Sequence, residues 1–124
     1  MKDTIVMAID DDPLNLDLIK SHLSEEPVKY FSFSNPVEAV EKMQEVSPDI
    51  VLLDRVMPEM DGHEVLKAMI DNENFKNIPI VMITSKAGIK DINESLRLGA
   101  VDYIVKPFDG DNLRLRIKRV LGKF

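Results

Sequence analysis

Three runs of apolar residues, Ile5-Val6-Met7-Ala8-Ile9, Ile50-Val51-Leu52-Leu53 and Ile80-Val81-Met82-Ile83, each stop abruptly at a polar side chain. A strand that is apolar on both sides has to be covered on both faces, which places it in the parallel sheet of an α/β protein. The central run opens directly into Asp54-Arg55-Val56-Met57-Pro58-Glu59-Met60-Asp61-Gly62, where Pro58 and Gly62 break the chain into a tight loop before the next helix. An acid at that point lies on the C-terminal edge of the sheet, where open α/β sheets bind ligands. Taken alone, Asp54 is equally well an aspartate that ends a strand and starts a turn.

The rest of the chain alternates in the same way. Asp10-Asp11-Asp12 follow the first run, and Pro13 suits the first position of a helix with Leu16, Ile19 and Leu23 on its buried side, which makes Asp12 the N-cap. Asp10 and Asp11 are then left without a local structural role. Val28 to Phe33 reads as a second, shorter strand, and Ser34 or Asn35 with Pro36 opens a helix whose stripe is Val37, Val40, Met43 and Val46. Asp61 and Glu64 have capping-box spacing ahead of a third helix carrying Val65, Leu66, Met69 and Ile70. The run at 80–83 ends at Thr84-Ser85, and a fourth helix extends from about Ile89 to Leu98, with Gly99 as its C-cap. Asp102-Tyr103-Ile104-Val105 makes a fifth strand that ends at Lys106-Pro107, and Leu113, Ile117, Val120 and Leu121 mark a last amphipathic helix. Five strands alternating with five helices predict a doubly wound α/β sheet, all parallel, with right-handed crossovers and helices on both faces. All strands then end on one edge, so Asp10, Asp11, Asp54, Thr84 and Lys106 converge.

A single domain over residues 1–124 is expected, since the length suits one core and is short for two. With 44% hydrophobic and 31% charged residues the composition is that of a soluble globular chain. No apolar run approaches the ~20 residues of a membrane span, and Lys2-Asp3 ahead of one short strand does not resemble a signal peptide, so a cytoplasmic location away from the membrane is expected. The absence of Cys excludes disulfides, thiolate metal sites and a Cys nucleophile. A net charge of -6 argues against direct nucleic-acid binding, which demands a basic surface. His22 and His63 have no partner at metal-site spacing and are expected at the surface, and the seven Met read as core filler.

Three carboxylates in one crevice repel one another unless a cation neutralises them. An all-oxygen set without His or Cys suits a hard divalent ion, Mg²⁺ first, for which Mn²⁺ can substitute. A hydroxyl and an ammonium opposite complete a cradle for a phosphoryl group.

With the acidic pair Asp10-Asp11, Asp54 in LLDRVMPEMDG, Thr84, and Tyr103 with Lys106-Pro107-Phe108, the chain closely resembles the receiver domain of two-component response regulators over essentially its whole length. The resemblance implies a flavodoxin-like sheet of order 2-1-3-4-5 and a phosphoacceptor role for Asp54. It implies that Asp10, Asp11, Asp54 and the backbone carbonyl of Val56 hold Mg²⁺, that Thr84 and Lys106 bind phosphoryl oxygens, and that the Lys106-Pro107 bond is cis. Thr84 and Tyr103 would form the switch, although Tyr103 is by itself an ordinary half-buried packing residue. The donor would be a histidine kinase or histidine phosphotransfer protein, and the signal would pass to an output domain or protein. The domain would be no enzyme beyond Mg-dependent self-phosphorylation and slow autodephosphorylation.

Two other classes fit the fold. A haloacid-dehalogenase-like phosphatase would carry a second acid two residues after its nucleophile, where this chain has Val56. A flavodoxin-like cofactor binder would need a Ser/Thr/Gly-rich phosphate loop after the first strand, where this chain has three acids. In the branch of receivers joined to winged-helix domains, an ion pair across a symmetric dimer links an Asp before the strand-five Asp-Tyr to an Arg in helix five. Arg116 stands at the Arg position, but Val101 replaces the acid, so a monomer or a weak dimer is expected.

Overall fold

A computed structural model describes residues 3–122, so the Lys2 reading of the N-terminus lies outside the described residues. In chain order the elements are β1 (Thr4–Ile9), α1 (Pro13–His22), β2 (Val28–Phe33), α2 (Pro36–Val46), β3 (Ile50–Leu53), α3 (Gly62–Ile70), β4 (Ile80–Thr84), α4 (Ile89–Arg97), β5 (Asp102–Val105) and α5 (Gly110–Leu121). The strands form one sheet ordered β2-β1-β3-β4-β5, and every neighbouring pair is parallel. Among the described residues no helix is long and apolar enough to cross a membrane.

Successive side chains of a strand point to opposite faces, and the core divides accordingly. Met7, Ile9, Val51, Leu53, Ile80, Met82 and Tyr103 join residues of α2 and α3 in one cluster. Val6, Ala8, Ile50, Leu52, Val81, Ile83 and Ile104 join Leu16 and Ile19 of α1 and Leu113 and Ile117 of α5 in the other. Two-sided burial is thus why β1, β3 and β4 are apolar apart from Thr4 and Thr84 at strand ends. β2, at the sheet's edge, instead mixes half-buried and exposed residues.

Local chemistry sets the helix starts. Asp12 accepts from the Leu14 N–H ahead of Pro13, Asn35 accepts from Val37 and Glu38, and Asp61 with Glu64 forms a capping box. The stripe of α2 differs from the expected one. Val37 is exposed, and Pro36, Ala39 and Met43 face the sheet. The small Ala39 carries little weight in a hydrophobic pattern, yet it lets the helix approach the strands closely. Met7, Met43, Met57, Met69 and Met82 are buried as filler. The C-cap of α4 is Leu98, so Gly99, expected as the cap, is the first residue beyond it, at φ 121°.

Gly62 fixes how near α3 comes to β3. A Cβ at this position would lie 2.2 Å from the Asp54 carbonyl oxygen and 2.8 Å from the Arg55 Cα, both backbone atoms that cannot swing away. Gly62→Ala is therefore expected to cost about 2–3 kcal/mol, at the upper end for an overpacked site. Urea denaturation of the two proteins measures it.

Candidate functional site

Ile9 and Leu53 are register partners in the β1–β3 pair, so the residues that follow them leave the sheet side by side. Asp10 and Asp54 are only 2% and 6% exposed, whereas Asp11 is in solvent. Carboxylate oxygens of Asp10, Asp11 and Asp54 lie within 4.8 Å of one another. Lys106, delivered by the end of β5, places its Nζ 2.8 Å from Asp10 Oδ2 and 3.4 Å from Asp54 Oδ2. The Lys106-Pro107 peptide is cis. Asp54 Oδ1 accepts from the Arg55 backbone N–H at 2.7 Å, which fixes the orientation of its carboxylate. Val56, whose side chain is half exposed, occupies the loop between Asp54 and α3.

Thr84 is buried at the end of β4, and its Oγ1 accepts from the Lys86 N–H at 3.3 Å. The Lys86 carbonyl in turn accepts from the Tyr103 hydroxyl. Tyr103 is buried in the cluster that holds Ile80 and Met82, so by strand alternation Thr84 and Tyr103 share a face of the sheet. The half-buried position expected for Tyr103 is thus not what it adopts. Burial first, then the nearby Asp91 carboxylate, hold its phenol above the ordinary tyrosine range.

Residues 6–118 match the family model for the response regulator receiver domain. The chain belongs to that family. It is 41% identical over 88 residues to the regulatory protein AtoC of Escherichia coli, a stretch covering 71% of this chain and 19% of that protein. It is 30% identical over 118 residues to the heme response regulator HssR of Staphylococcus epidermidis, covering 95% and 51% respectively. The crystal structure of chemotaxis protein CheY4 from Vibrio cholerae superposes with a TM-score of 0.89 at 29% identity, covering 95% of this chain and 98% of the other. The chain therefore spans between a fifth and about half of these two curated relatives, and nearly all of the CheY4 chain.

Several residues of this receiver do more than their sequence pattern suggested. Asp10 does have a local structural role, since Oδ1 accepts from the Asp12 N–H at 2.9 Å and Oδ2 from the Asn15 amide at 2.6 Å. Asn15 was not singled out from the sequence, although a polar residue four before Ile19 interrupts the buried side of α1 and is a readable signal. Arg55 was also missed. Its guanidinium pairs with Asp61 through Nη1, and its buried Nε, with no hydrogen-bond partner, lies 3.9 Å from Asp91 of α4. His63 is not a free surface residue, because its Nε2 is 2.7 Å from the Oγ of fully buried Ser95. His22 is half-buried with its ring edge-on to Phe108.

Electrostatically the site is held in tension. Burial raises the Asp10 carboxyl above its ordinary value, outweighing the hydrogen bonds from Lys106 and the Asp12 N–H, and the Asp54 charge adds to the rise. Burial disfavours the Lys106 ammonium, but the bond and charge of Asp10 with the charge of Asp54 keep its pKa above the ordinary lysine value. A carboxyl that binds its proton more tightly folded than unfolded loses stability as pH rises from the ordinary aspartate value through the raised one, and the loss is complete above it. In metal-free buffer, Asp10→Asn should therefore be more stable than wild type at pH 7 by more than the roughly 0.5 kcal/mol of a neutral surface substitution. The difference should shrink toward acid pH. Urea titrations between pH 3.5 and pH 7, a window of roughly these bounds set by the ordinary aspartate pKa, check both statements.

Proposed function

We propose that this receiver accepts a phosphoryl group on Asp54 from a phosphohistidine of a histidine kinase or histidine phosphotransfer protein, and passes the signal on by changing shape. The single observation that supports this best is the placing of a lysine ammonium within reach of two buried carboxylates, one of them oriented by the next backbone N–H. Such a pair is costly to keep unless the lysine has other work.

The donor set fits a hard divalent ion, because every ligand atom is oxygen. Asp10, Asp11, Asp54 and the backbone carbonyl of Val56 would hold Mg²⁺, with Mn²⁺ as a substitute. Bound there, the ion would offset carboxylate repulsion and draw charge from the phosphoryl oxygens. In the transfer itself an Asp54 carboxylate oxygen attacks phosphorus as the P–N bond to the imidazole breaks. The bonding pair returns to the imidazole nitrogen, and Asp54 becomes an acyl phosphate. Lys106, released from Asp10, pairs with one phosphoryl oxygen. Thr84, whose oxygen already accepts from Lys86, has its hydroxyl proton free to bond another. Movement of Thr84 would be felt at Tyr103, since both bond to Lys86 on one face of the sheet.

The domain would act as a phosphoacceptor and not as an enzyme turning over a substrate, with slow loss of its own phosphoryl group. The apolar Val56 offers no proton to an alcohol leaving group. Residues 1–124 would form one receiver domain working in the cytoplasm, with no direct contact to nucleic acid or membrane, and acting on an output domain or protein. Incubation with Mg²⁺ and a small acyl phosphate should add one phosphoryl group to wild type, and none to Asp54→Asn or to wild type in EDTA. Equal incorporation in wild type and Asp54→Asn by intact mass would remove Asp54 from this role.

The same reading bears on self-association. Arg116 Nη1 is 2.6 Å from Asp102 Oδ1 of its own chain and also approaches the Tyr103 carbonyl, so this guanidinium is engaged internally. With Val101 exposed and apolar beside it, the ion pair across a symmetric dimer has neither end available. Sedimentation with a beryllofluoride phosphoryl mimic should show a monomer or a weak dimer that Arg116→Glu does not dissociate further.

A further inference from the structure

The helices of this fold are not equally well seated. α1, α2, α3 and α5 each bury apolar side chains and begin with a side-chain N-cap, whereas the fully buried residue of α4 is Ser95 and its N-cap, Gly88, supplies no side-chain bond. Ser95 meets the imidazole Nε2 of His63 at 2.7 Å. A cleft of about 440 Å³ between α3 and α4 runs past this contact, lined by Arg55, His63, Lys90, Asp91, Glu94 and Arg97 among others. α4 therefore keeps one fully buried polar contact, with half-buried Ile92 as its apolar packing against the core, beside an open cleft.

We propose that the His63–Ser95 contact is a proton-sensitive seat for α4, which holds the helix down while His63 is neutral and loosens when His63 is protonated. This goes beyond phosphoryl acceptance and does not depend on it. A neutral imidazole can either donate to or accept from the serine hydroxyl, whereas imidazolium can only donate. The added charge also arrives next to a cation. From the β3–α3 loop Arg55 faces His63, and of the nearby acids Asp61 is already bonded to Arg55 while Glu94 is bonded to Arg97. Asp91 on α4 is the remaining acid, and it lies 3.9 Å from Arg55 Nε. In keeping with that balance, burial first and Arg55 second hold the imidazole below its ordinary pKa, against the smaller opposite pulls of Asp61, Glu94 and Asp91. A histidine whose folded pKa is depressed contributes its full stability above the ordinary histidine value and loses it as pH falls from that value through the lowered one. Lifting α4 toward solvent relieves the charge.

The test follows both ends of the contact by NMR on the unphosphorylated, metal-free domain. The His63 ring is titrated from pH 8 to 5, roughly the span over which histidine changes charge, together with the backbone amides of residues 89–97. The expected result is that His63 titrates below the ordinary histidine range and that the α4 amides shift with the same midpoint. In His63→Gln the α4 shifts should become flat over this range, and in Arg55→Gln the His63 midpoint should rise. Amides of α4 that do not respond to pH, or that respond equally in wild type and His63→Gln, would overturn the proposal. Because His63→Gln could perturb packing, Ser95→Ala supplies a second reading: His63 should still titrate, but uncoupled from α4. An unchanged coupling in that variant would also overturn it.

Discussion

A lysine ammonium lodged between two buried carboxylates is the contact on which the rest of this domain depends. Asp10 and Asp54 are placed side by side by adjacent strands, and without Lys106 they would be two like charges in a largely water-excluded crevice. Lys106 comes from the far edge of the sheet, so the ion pair ties β5 to β1 and β3 across β4. The arrangement trades stability for readiness. Charges that are only partly satisfied by one another are available to an incoming cation or anion, and a fully neutralised crevice would have no reason to respond.

That readiness is contained by a well-anchored surround. Asn15 and the Asp12 N–H hold Asp10 from α1, the Arg55 N–H holds Asp54, and Arg114 of α5 donates to the His22 carbonyl at the end of α1 at 2.8 Å. Gly110 sits so close to the His22 ring that a Cβ would come within 2.4 Å of it. On this face α1 and α5 are effectively one block. On the other face α4 has the Ser95 contact, half-buried Ile92 and an open cleft, so it is the more lightly packed side of the domain.

The fold was legible because its strands are buried on both sides, which leaves unbroken apolar runs that few other arrangements produce. The convergence of Asp10, Asp11, Asp54 and Lys106 followed from parallel topology alone, since residues after each strand must gather on one edge. Other features depend on geometry that no pattern carries. Val37 looked like core because it is apolar, but Asn35 and Pro36 set the phase of α2 so that Ala39 faces inward. His63 looked solvent-exposed because its partner Ser95 is distant in sequence and is an ordinary polar residue there. Arg55 gave no signal beyond a charge after a buried strand, and its contacts to Asp61 and Asp91 exist only once α3 and α4 are in place. Arg116 could be aligned with a position in relatives, yet its choice of Asp102 on the same chain is decided by the approach of α5 to β5.

The pleat of the sheet has a consequence for how such a protein can diversify. Asp10 and its partners face α1 and α5, while Tyr103 and the strand positions in line with Thr84 face the opposite layer. The crevice of Asp10, Asp54 and Lys106 and the buried Tyr103 thereby lie on different sides of one ribbon, and they meet at Thr84, whose oxygen shares Lys86 with the Tyr103 hydroxyl. A substitution that repacks one layer leaves the other undisturbed only where it spares that joint.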